Sequence, residues 1–548
     1  MLSTYTYPEF AFVRPPELDG VPSHRRPVVV VGAGPVGLSA AIELAQLGLP
    51  VLMLDDDKTV SVGSRGLCYA KRALEVLDRQ GAGQPVVDKG VTWNVGRTFF
   101  DTEEVFHFNL LPEAGHERPG MVNLQQYHLE EILLKRVAEL PGIELRWLSK
   151  VTQVEPHGQG ASLCVSTPEG DYTVDTDWLV VADGARSPIR RLLGLEIEGK
   201  VFQDRFLIAD VVMKADFPAE RWFWFDPPFH RGQSVLLHRE ADNVWRIDFQ
   251  LGWEADPEEE KKPERVIPRI QAMLGPEHAF ALEWVSVYTF QCRRMQRFRH
   301  GRVLFAGDAA HQVSPFGARG ANSGLQDVDN LGWKLKLVID GVAPEALLDS
   351  YSDERCVAAD ENILNSTRST DFITPKSATS RLFRNAVLGL AREHAFARAL
   401  VNSGRLSVAT HLSGSALNTP DAEPFEGWMA PGAPMDDAPV DLPGGAGWLL
   451  RQVTAGADAH FTLMVFGEGA LPVLPTTPVP VKLLRVLPAG SAPRDGAVVD
   501  REGLIARRYD GRPGTAYLLR PDQHVAARWR HLEPAPLQAA LRRSLCLH

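Results

Sequence analysis

The chain is poor in cysteine: five among 548 residues, at Cys68, Cys164, Cys292, Cys356 and Cys546, with no Cys-x-x-Cys pair. Scattered and odd in number, they supply neither a disulfide framework nor a zinc site. No metal centre is expected, and reduced thiols in a cytoplasm are. Long apolar runs are missing as well. No stretch approaches the about 20 residues that cross a bilayer. Met1 to Arg26 carries no apolar segment between a basic start and a small-residue cleavage site, so no signal peptide is expected. An excess of positive charge is also absent: a net charge of -11 argues against nucleic acid as the main partner. No internal repeat is visible. What remains is an ordinary globular composition, 44% hydrophobic and 23% charged, on a chain too long for one core.

The first chemical signal is strand, glycine-rich turn, helix, strand. Val28-Val-Val-Val31 reads as a buried strand. It runs into Gly32-Ala-Gly34-Pro-Val-Gly37, the helical Leu38 to Ala45 and a second strand, Val51 to Leu54, that ends at Asp55. Gly32 makes the tight turn, Gly34 admits a pyrophosphate to the backbone, and Gly37 lets helix pack on strand. A helix N-terminus stabilises phosphate charge, and a carboxylate at the end of the second strand accepts hydrogen bonds from a ribose. The fingerprint indicates a dinucleotide without choosing between FAD and NAD.

Two later segments repeat the theme of an acid at a strand end. Trp178-Leu-Val-Val-Ala182 runs into Asp183-Gly-Ala-Arg-Ser187-Pro. Gly301-Arg-Val-Leu-Phe-Ala-Gly307 runs into Asp308 and on through Pro315-Phe-Gly-Ala-Arg-Gly320-Ala-Asn322 to a helix. Ligands of open α/β sheets bind at such strand ends. An Asp there holds sugar-like hydroxyls, and the helix start at 320–324 offers N–H groups to an anionic ring.

These three motifs, in this order and at about this spacing, resemble those of the single-component FAD-dependent aromatic hydroxylases, the p-hydroxybenzoate hydroxylase and phenol hydroxylase superfamily, over roughly residues 27–375. The resemblance implies FAD as cofactor, NAD(P)H as co-substrate, and a small phenolic substrate with O₂. It implies hydroxylation ortho to the hydroxyl through a flavin C4a-hydroperoxide. It puts Asp308 on the ribityl chain and Asp183 where FAD and the nicotinamide approach. Gly320, Ala321 and Asn322 would line the pyrimidine side of the isoalloxazine, with Pro315 beside the substrate. Arg65, in Ser64-Arg65-Gly, resembles an arginine that reaches the FAD phosphates. Gln126 resembles a helix-start glutamine on the ribityl chain. Two positions depart from the pattern: Asp55 stands where Glu is usual, and Arg319 stands where many members have Gln, its charge either near the flavin or turned outward to solvent or to Asp327.

The fold implied is an α/β FAD-binding, Rossmann-like domain of the p-hydroxybenzoate hydroxylase type with an antiparallel-sheet substrate domain. Expected boundaries are a loose N-terminal arm at 1–26, FAD-binding segments at 27–195 and 285–410, a substrate sheet at 196–284 and a Gly/Pro/Asp-rich linker at 411–446. Residues 71–80, 128–139, 325–339 and 381–401 read as helices, with Phe383, Val387 and Leu390 on one packed face. Residues 447–548, including Val498 to Asp510 and Tyr517 to Asp522, resemble the thioredoxin-like C-terminal domain of phenol, 3-(3-hydroxyphenyl)propionate and polyketide hydroxylases. With no thiol pair this domain does no disulfide chemistry, and a structural or subunit-contact role, including a homodimer, is left to it. Val287-Tyr288-Thr-Phe-Gln also looks like the hydroxyphenylpropionate branch.

An unperturbed phenol ionises near pH 10, like Tyr (pKa about 10), so a base or cation must help it lose its proton. Period-two alternation puts Arg246, Asp248 and Gln250 on one strand face and Trp245, Ile247 and Phe249 on the other. Arg246, His238, Tyr288 and Pro315 are the candidate catalytic groups, and Trp222 to Phe225 form either an aromatic pocket wall or core. Two other readings stay open: a polycyclic polyketide-like substrate on the same scaffold, and a flavin-binding oxidoreductase or scaffold that does not oxygenate.

Overall fold

The computed structural model describes residues 2–547 apart from 22–23, 402–405, 407, 455, 470–475 and 478. The dinucleotide layer is a mainly parallel sheet. Its strands run in the order Arg299–His300, Val303–Phe305, Gly170–Val181, Arg26–Val31, Val51–Leu54, Ile143–Arg146. Val28 to Val30 are fully buried because helices and loops cover both faces, which explains an apolar run without alternation. The chain leaves Arg26–Val31 on one side toward Val51–Leu54 and returns on the other side with Gly170–Val181. That reversal opens a crevice at the strand ends. The helices Pro35–Gln46 and Gly320–Ile339 pack together above it.

The second sheet has eight strands, in the order His311–Gln312, Phe280–Arg294, Glu198–Met213, Val244–Leu251, Ser234–Arg239, Arg221–Phe225, Val95–Phe100, Glu103–Asn109. It exceeds the expected 196–284 boundary in both directions. The hairpin 95–109, inside the first FAD-binding segment, pairs in parallel with Arg221–Phe225 and so covers what would be an open edge. Trp245, Ile247 and Phe249 pack in its apolar core, as the alternation predicts.

The C-terminal domain is thioredoxin-like. Three parallel strands, Phe461–Phe466, Val481–Leu487 and Ala497–Asp500, are extended by the antiparallel pair Ala516–Leu519 and Val525–Trp529 and followed by the helix Pro534–Ser544. Pro439–Leu442 adds to the same sheet, and Leu412, Leu417, Met429 and Met435 are buried. Residues 411–446 are therefore not a free linker: their glycines and prolines make turns between packed positions.

Two further expectations change. The arm at 1–26 is pinned rather than loose. Ser3 and Thr4 donate backbone and hydroxyl groups to the Glu283 carboxylate, Tyr5 stacks on Tyr127 at 4.2 Å, and Tyr7 Oη accepts from the Gly63 N–H. The 381–401 helix is two helices, Ala378–Ala391 and Ala395–Val401. Val387 is buried at 4% exposure, but Phe383 (58%) and Leu390 (45%) face outward. A single periodicity does not say how much of an apolar stripe a neighbour covers. Among the described residues no helix is long and apolar enough to cross a membrane.

The C-terminal domain docks through buried charge. Arg520 donates to both oxygens of Glu354 and pairs with Asp522, while Lys334 donates to Glu354 Oε2 at 2.7 Å; Lys334 and Arg520 are both 0% exposed. Arg72 adds bonds to Asp329 and the Asp522 carbonyl. Removing one partner of such a cluster leaves uncompensated charge in the interior. Arg520→Met is expected to destabilise the protein by about 3–5 kcal/mol, read as a fall of several degrees in thermal unfolding. An unchanged transition would show that the cluster does not hold the domains together.

Candidate active site

The three glycine and acid motifs, far apart in sequence, end side by side. Val31 is in register with Val181 and Val181 with Phe305 on neighbouring parallel strands. Gly32, Asp183 and Asp308 therefore border one cavity of about 590 Å³, which continues to the inner face of the second sheet. Gly32 sits at φ +105°, where a Cβ would lie 2.4 Å from the Ala182 carbonyl oxygen. A Cβ on Gly37 would fall 1.8 Å from the Gly32 oxygen; this glycine lies behind the cavity and lets helix meet turn. At Gly34 a Cβ would meet nothing within 4 Å, so its backbone faces open cavity.

Around this turn the wall is acidic and donor-rich. Asp55 accepts the Ala33 N–H at 2.5 Å and the Asp57 N–H at 2.8 Å, which leaves lone pairs for hydroxyls. Asp183 accepts the Ile189 N–H through Oδ2 at 3.0 Å, while its Oδ1 is buried without a partner. Burial raises the pKa of Asp183, against the pull of the nearby Ser187 hydroxyl. The Asp308 carboxylate projects into the cavity; burial raises its pKa too, opposed by His311. Arg65 lines the cavity without an ion pair among the described residues. An unpartnered acceptor, an open glycine and the N-terminus of Gly320–Ile339 suit a ligand with hydroxyls, phosphates and an electron-rich ring. The residues present fit FAD.

Two of these side chains are occupied otherwise than expected. Asn322 accepts the Ala70 N–H and donates to the Cys68 and Ala318 carbonyls, so only backbone N–H groups at Gly320, Ala321 and Asn322 remain to face a ring. Gln126 accepts the Gly66 N–H and donates to Ser61 and Glu130; it borders the cavity but its amide holds the loop that carries Arg65. Arg319 does not reach Asp327. It is buried on the cavity wall and donates to Asn362 Oδ1 at 3.0 Å, because Asp327 is taken by His311 and Arg355.

The opposite wall is the second sheet, and its register orders the polar groups. Arg221 lies opposite His238, His238 opposite Arg246, Arg246 opposite Asp210 and Asp210 opposite Trp284: one row across five strands. The next row brings Asp248, Ile208 and Ser286 to the cavity, and the third brings Phe206 and Tyr288. Pro315 and the edge-packed rings Phe206, Phe290 and Phe316 close the apolar side. Gln250 shares the face but is spent on the Ser234 N–H. Trp222 to Phe225 do not line the cavity; Trp222 and Trp224 pack with Phe99 on the far face.

Arg246 faces the cavity but is not available to a substrate. It grips Asp210 through Nε at 2.8 Å and Nη2 at 2.9 Å and donates to the Ser64 carbonyl at 2.6 Å. Burial lowers its proton affinity, but Asp210 and Glu240 outweigh that and hold it charged. Glu240, buried next to Asp210, has its pKa well above the ordinary carboxylate range. His238 is pushed down to about 4 by burial and then by Arg221, so it is neutral near pH 7. Tyr288, raised by burial and the nearby Asp308, stays a protonated phenol at the rim. Arg221 and Asp210 were invisible to sequence alternation, because only strand register brings them to this row.

The FAD binding domain family matches residues 25–366, more than half of the chain. The 6-methylpretetramide 4-monooxygenase of Streptomyces rimosus is 32% identical over 96% of this chain and 94% of its own. A 3-(3-hydroxy-phenyl)propionate/3-hydroxycinnamic acid hydroxylase of Klebsiella pneumoniae (strain 342) is 30% identical over 62% of this chain and 61% of its own. Among solved structures, the flavin-dependent monooxygenase PieE, crystallised with FAD and substrate, superposes with a TM-score of 0.81 at 23% identity, covering 96% of this chain and all of that one, a likeness of fold. The chain belongs to the FAD-binding family of flavin-dependent aromatic monooxygenases, with FAD as cofactor and NAD(P)H as the reductant typical of the class. Gly37→Ala is expected to yield protein with little bound flavin, since the added methyl must displace the Gly32 turn. The visible flavin band relative to protein absorbance measures this, and wild-type flavin content would refute it.

Proposed function

We propose that this chain hydroxylates a polycyclic, polyketide-type aromatic next to an ionisable oxygen, rather than a single-ring phenol. The observation that carries the reading is coverage. The 6-methylpretetramide enzyme matches nearly the whole chain, C-terminal domain included, while the hydroxyphenylpropionate enzyme matches under two thirds of it. The cavity also runs unbroken from the dinucleotide crevice to a sheet face several strands wide.

In this reading Gly32, Gly34 and the N-terminus of Pro35–Gln46 hold the pyrophosphate, Asp55 a ribose and Arg65 the phosphates. Asp308 holds the ribityl hydroxyls, and Asp183 sits where FAD and nicotinamide meet. The backbone at 320–322 faces the electron-rich edge of the ring system. When bound, FAD supplies electron transfer from NAD(P)H to O₂ and oxygen transfer to the substrate. Phe206, Phe290, Phe316 and Pro315 keep water from the reacting carbon. His238 does not suit general-base work on an ordinary phenol: moving a proton from a group of pKa about 10 to one near 4 is uphill by about 8 kcal/mol. With Arg246 held by Asp210, the geometry favours a substrate that arrives already ionised or is acidic.

The test compares oxygenated product from 1,8-dihydroxyanthracen-9-one and 3-(3-hydroxyphenyl)propionate. Burying about 60 Å² more apolar ring is worth about 1.5 kcal/mol, so kcat/KM should favour the tricycle at least about tenfold. Equal or reversed efficiency would restore the single-ring reading. Separately, Asp308→Ala should weaken FAD binding about 10–150-fold through loss of charge-assisted hydrogen bonds, read by flavin titration of the apoprotein. Unchanged affinity would remove Asp308 from the ribityl site.

A further inference from the structure

One buried cation in the cavity is left unanswered. Arg221 begins its strand at 3% exposure, lines the cavity, and sits over Phe223 with its guanidinium carbon 4.8 Å from the ring centre. Its Nε and Nη1 have no hydrogen-bond partner, and among the described residues no carboxylate comes within 4 Å of it. Its neighbour on one side is Gly96, which offers no side chain. On the other is His238, which is neutral and whose Nδ1 is likewise unpartnered. Asp248 stands one row away, 3.6 Å from His238, with its Oδ1 buried and unpartnered. Two positions along the same row, Arg246 is saturated by Asp210, so the row contains one satisfied arginine and one open one.

A buried guanidinium without acceptors is costly to keep unless a ligand completes it. Its planar fork matches two coplanar oxygens that share one negative charge. We infer that Arg221, with His238 and Asp248 beside it, is the substrate oxyanion subsite, and that it takes a vinylogous carboxylate: the conjugated enolate of a 1,3-dicarbonyl or hydroxyquinone. This deepens the polycyclic reading and rests on it, since fused polyketide aromatics carry such groups and simple phenols do not. The anion meets the fork along its Nε and Nη2 edge, the edge Arg246 presents to Asp210, through the oxyanion and its nearest carbonyl oxygen, and a neighbouring neutral hydroxyl donates to the Asp248 carboxylate. The groups facing Arg221 fit this arrangement: His238 adds no charge, and burial keeps Cys68 a thiol, its pKa raised to about 11. Burial also lowers Arg221's own proton affinity, a cost that a bound anion offsets.

The test is equilibrium binding to the oxidised FAD holoenzyme, followed by the flavin absorbance change. The probes are 2-hydroxy-1,4-naphthoquinone, its O-methyl ether and 2-naphthoate, all near neutral pH. Wild type should bind the hydroxyquinone anion at least about tenfold more tightly than the ether. Arg221→Met should bring that ratio within about twofold, with ether affinity and flavin content unchanged, and Arg221→Lys should keep part of the preference because it keeps charge but not the fork. Arg221→Gln, which retains a polar side chain without the charge, should lose the preference like the Met variant and replaces it if that variant fails to fold. No preference in wild type, or a preference that survives loss of the charge, would overturn the subsite. Naphthoate binding as tightly as the hydroxyquinone and equally dependent on Arg221 would overturn the enolate assignment in favour of a carboxylate. Because these probes report binding alone, a failed ring-size comparison in turnover leaves the Arg221 result readable, and the reverse holds too.

Discussion

The Asp327 carboxylate is the joint on which the site hangs. It lies within the helix Gly320–Ile339 and accepts the Gly307 N–H at 2.9 Å, His311 Nε2 at 2.6 Å and Arg355 Nε at 2.6 Å. Burial raises its proton affinity, but His311 and Arg355 more than reverse that, so the group stays ionised in the interior. One side chain thus fixes three things relative to one another: the Gly307-Asp308 turn, the helix whose N-terminus borders the cavity, and the strand His311–Gln312. That strand pairs with Phe280–Arg294 of the second sheet. The two walls of the cavity, the dinucleotide-type layer and the second sheet, are therefore set by one hydrogen-bonded carboxylate, and Arg355 tightens the arrangement by also holding Ser323. Leaving any of these donors unpaired in the interior would cost more than the net worth of its bond.

The second sheet solves a different problem: how to present polar chemistry on a strand face that is almost wholly buried. Its apolar face packs conventionally around Trp245, Ile247 and Phe249. On the cavity face, Arg246 and Asp210 neutralise each other across adjacent strands, and the Arg246 bond to the Ser64 carbonyl ties the sheet to the loop carrying Arg65. The N-terminal residues reinforce the same joint from outside, with Ser3 and Thr4 on Glu283 and Tyr7 on Gly63, whose α-carbon packs so closely on Trp284 that a Cβ would lie 2.4 Å from its ring. The walls are braced on both sides while the space between them stays open.

What was legible in the sequence was local. The Gly32–Gly37 turn, Asp55 and the two strand-end acids announce themselves because each motif is a contiguous strand, turn and helix. The faces of Val244–Leu251 follow from period two alone. What pairs with what was not legible. The hairpin 95–109 joins a sheet whose other strands begin about a hundred residues later, and nothing in its alternation names that partner. Arg246 looked available because its ligand, Asp210, sits on another strand at a register no local pattern reveals. Arg221 was hidden for the same reason, inside an aromatic run that suggested packing. The stretch 411–446 misled by composition: Gly and Pro mark turns, and turns are as compatible with a packed surface as with a linker.

The same logic gives the C-terminal domain a part in the site without any thiol chemistry. Its Asp522 carbonyl accepts from Arg72, on the helix Lys71–Arg79, and Gln523 is held by Arg72 and Arg79. That helix follows directly from the strand Cys68–Ala70, whose Ala70 N–H and Cys68 carbonyl are both bonded to the Asn322 side chain. Asn322 in turn stands in the first turn of the helix that borders the cavity. Two covalent steps and two sets of buried hydrogen bonds thus run from the docked domain to the backbone at 320–322 that borders the cavity. An interface of paired charges buried this deeply holds only one geometry well, because a shifted register would strand Lys334, Arg520 or Glu354 without partners. The docked domain is thus tied by hydrogen bonds and short covalent links to the helix start at 320.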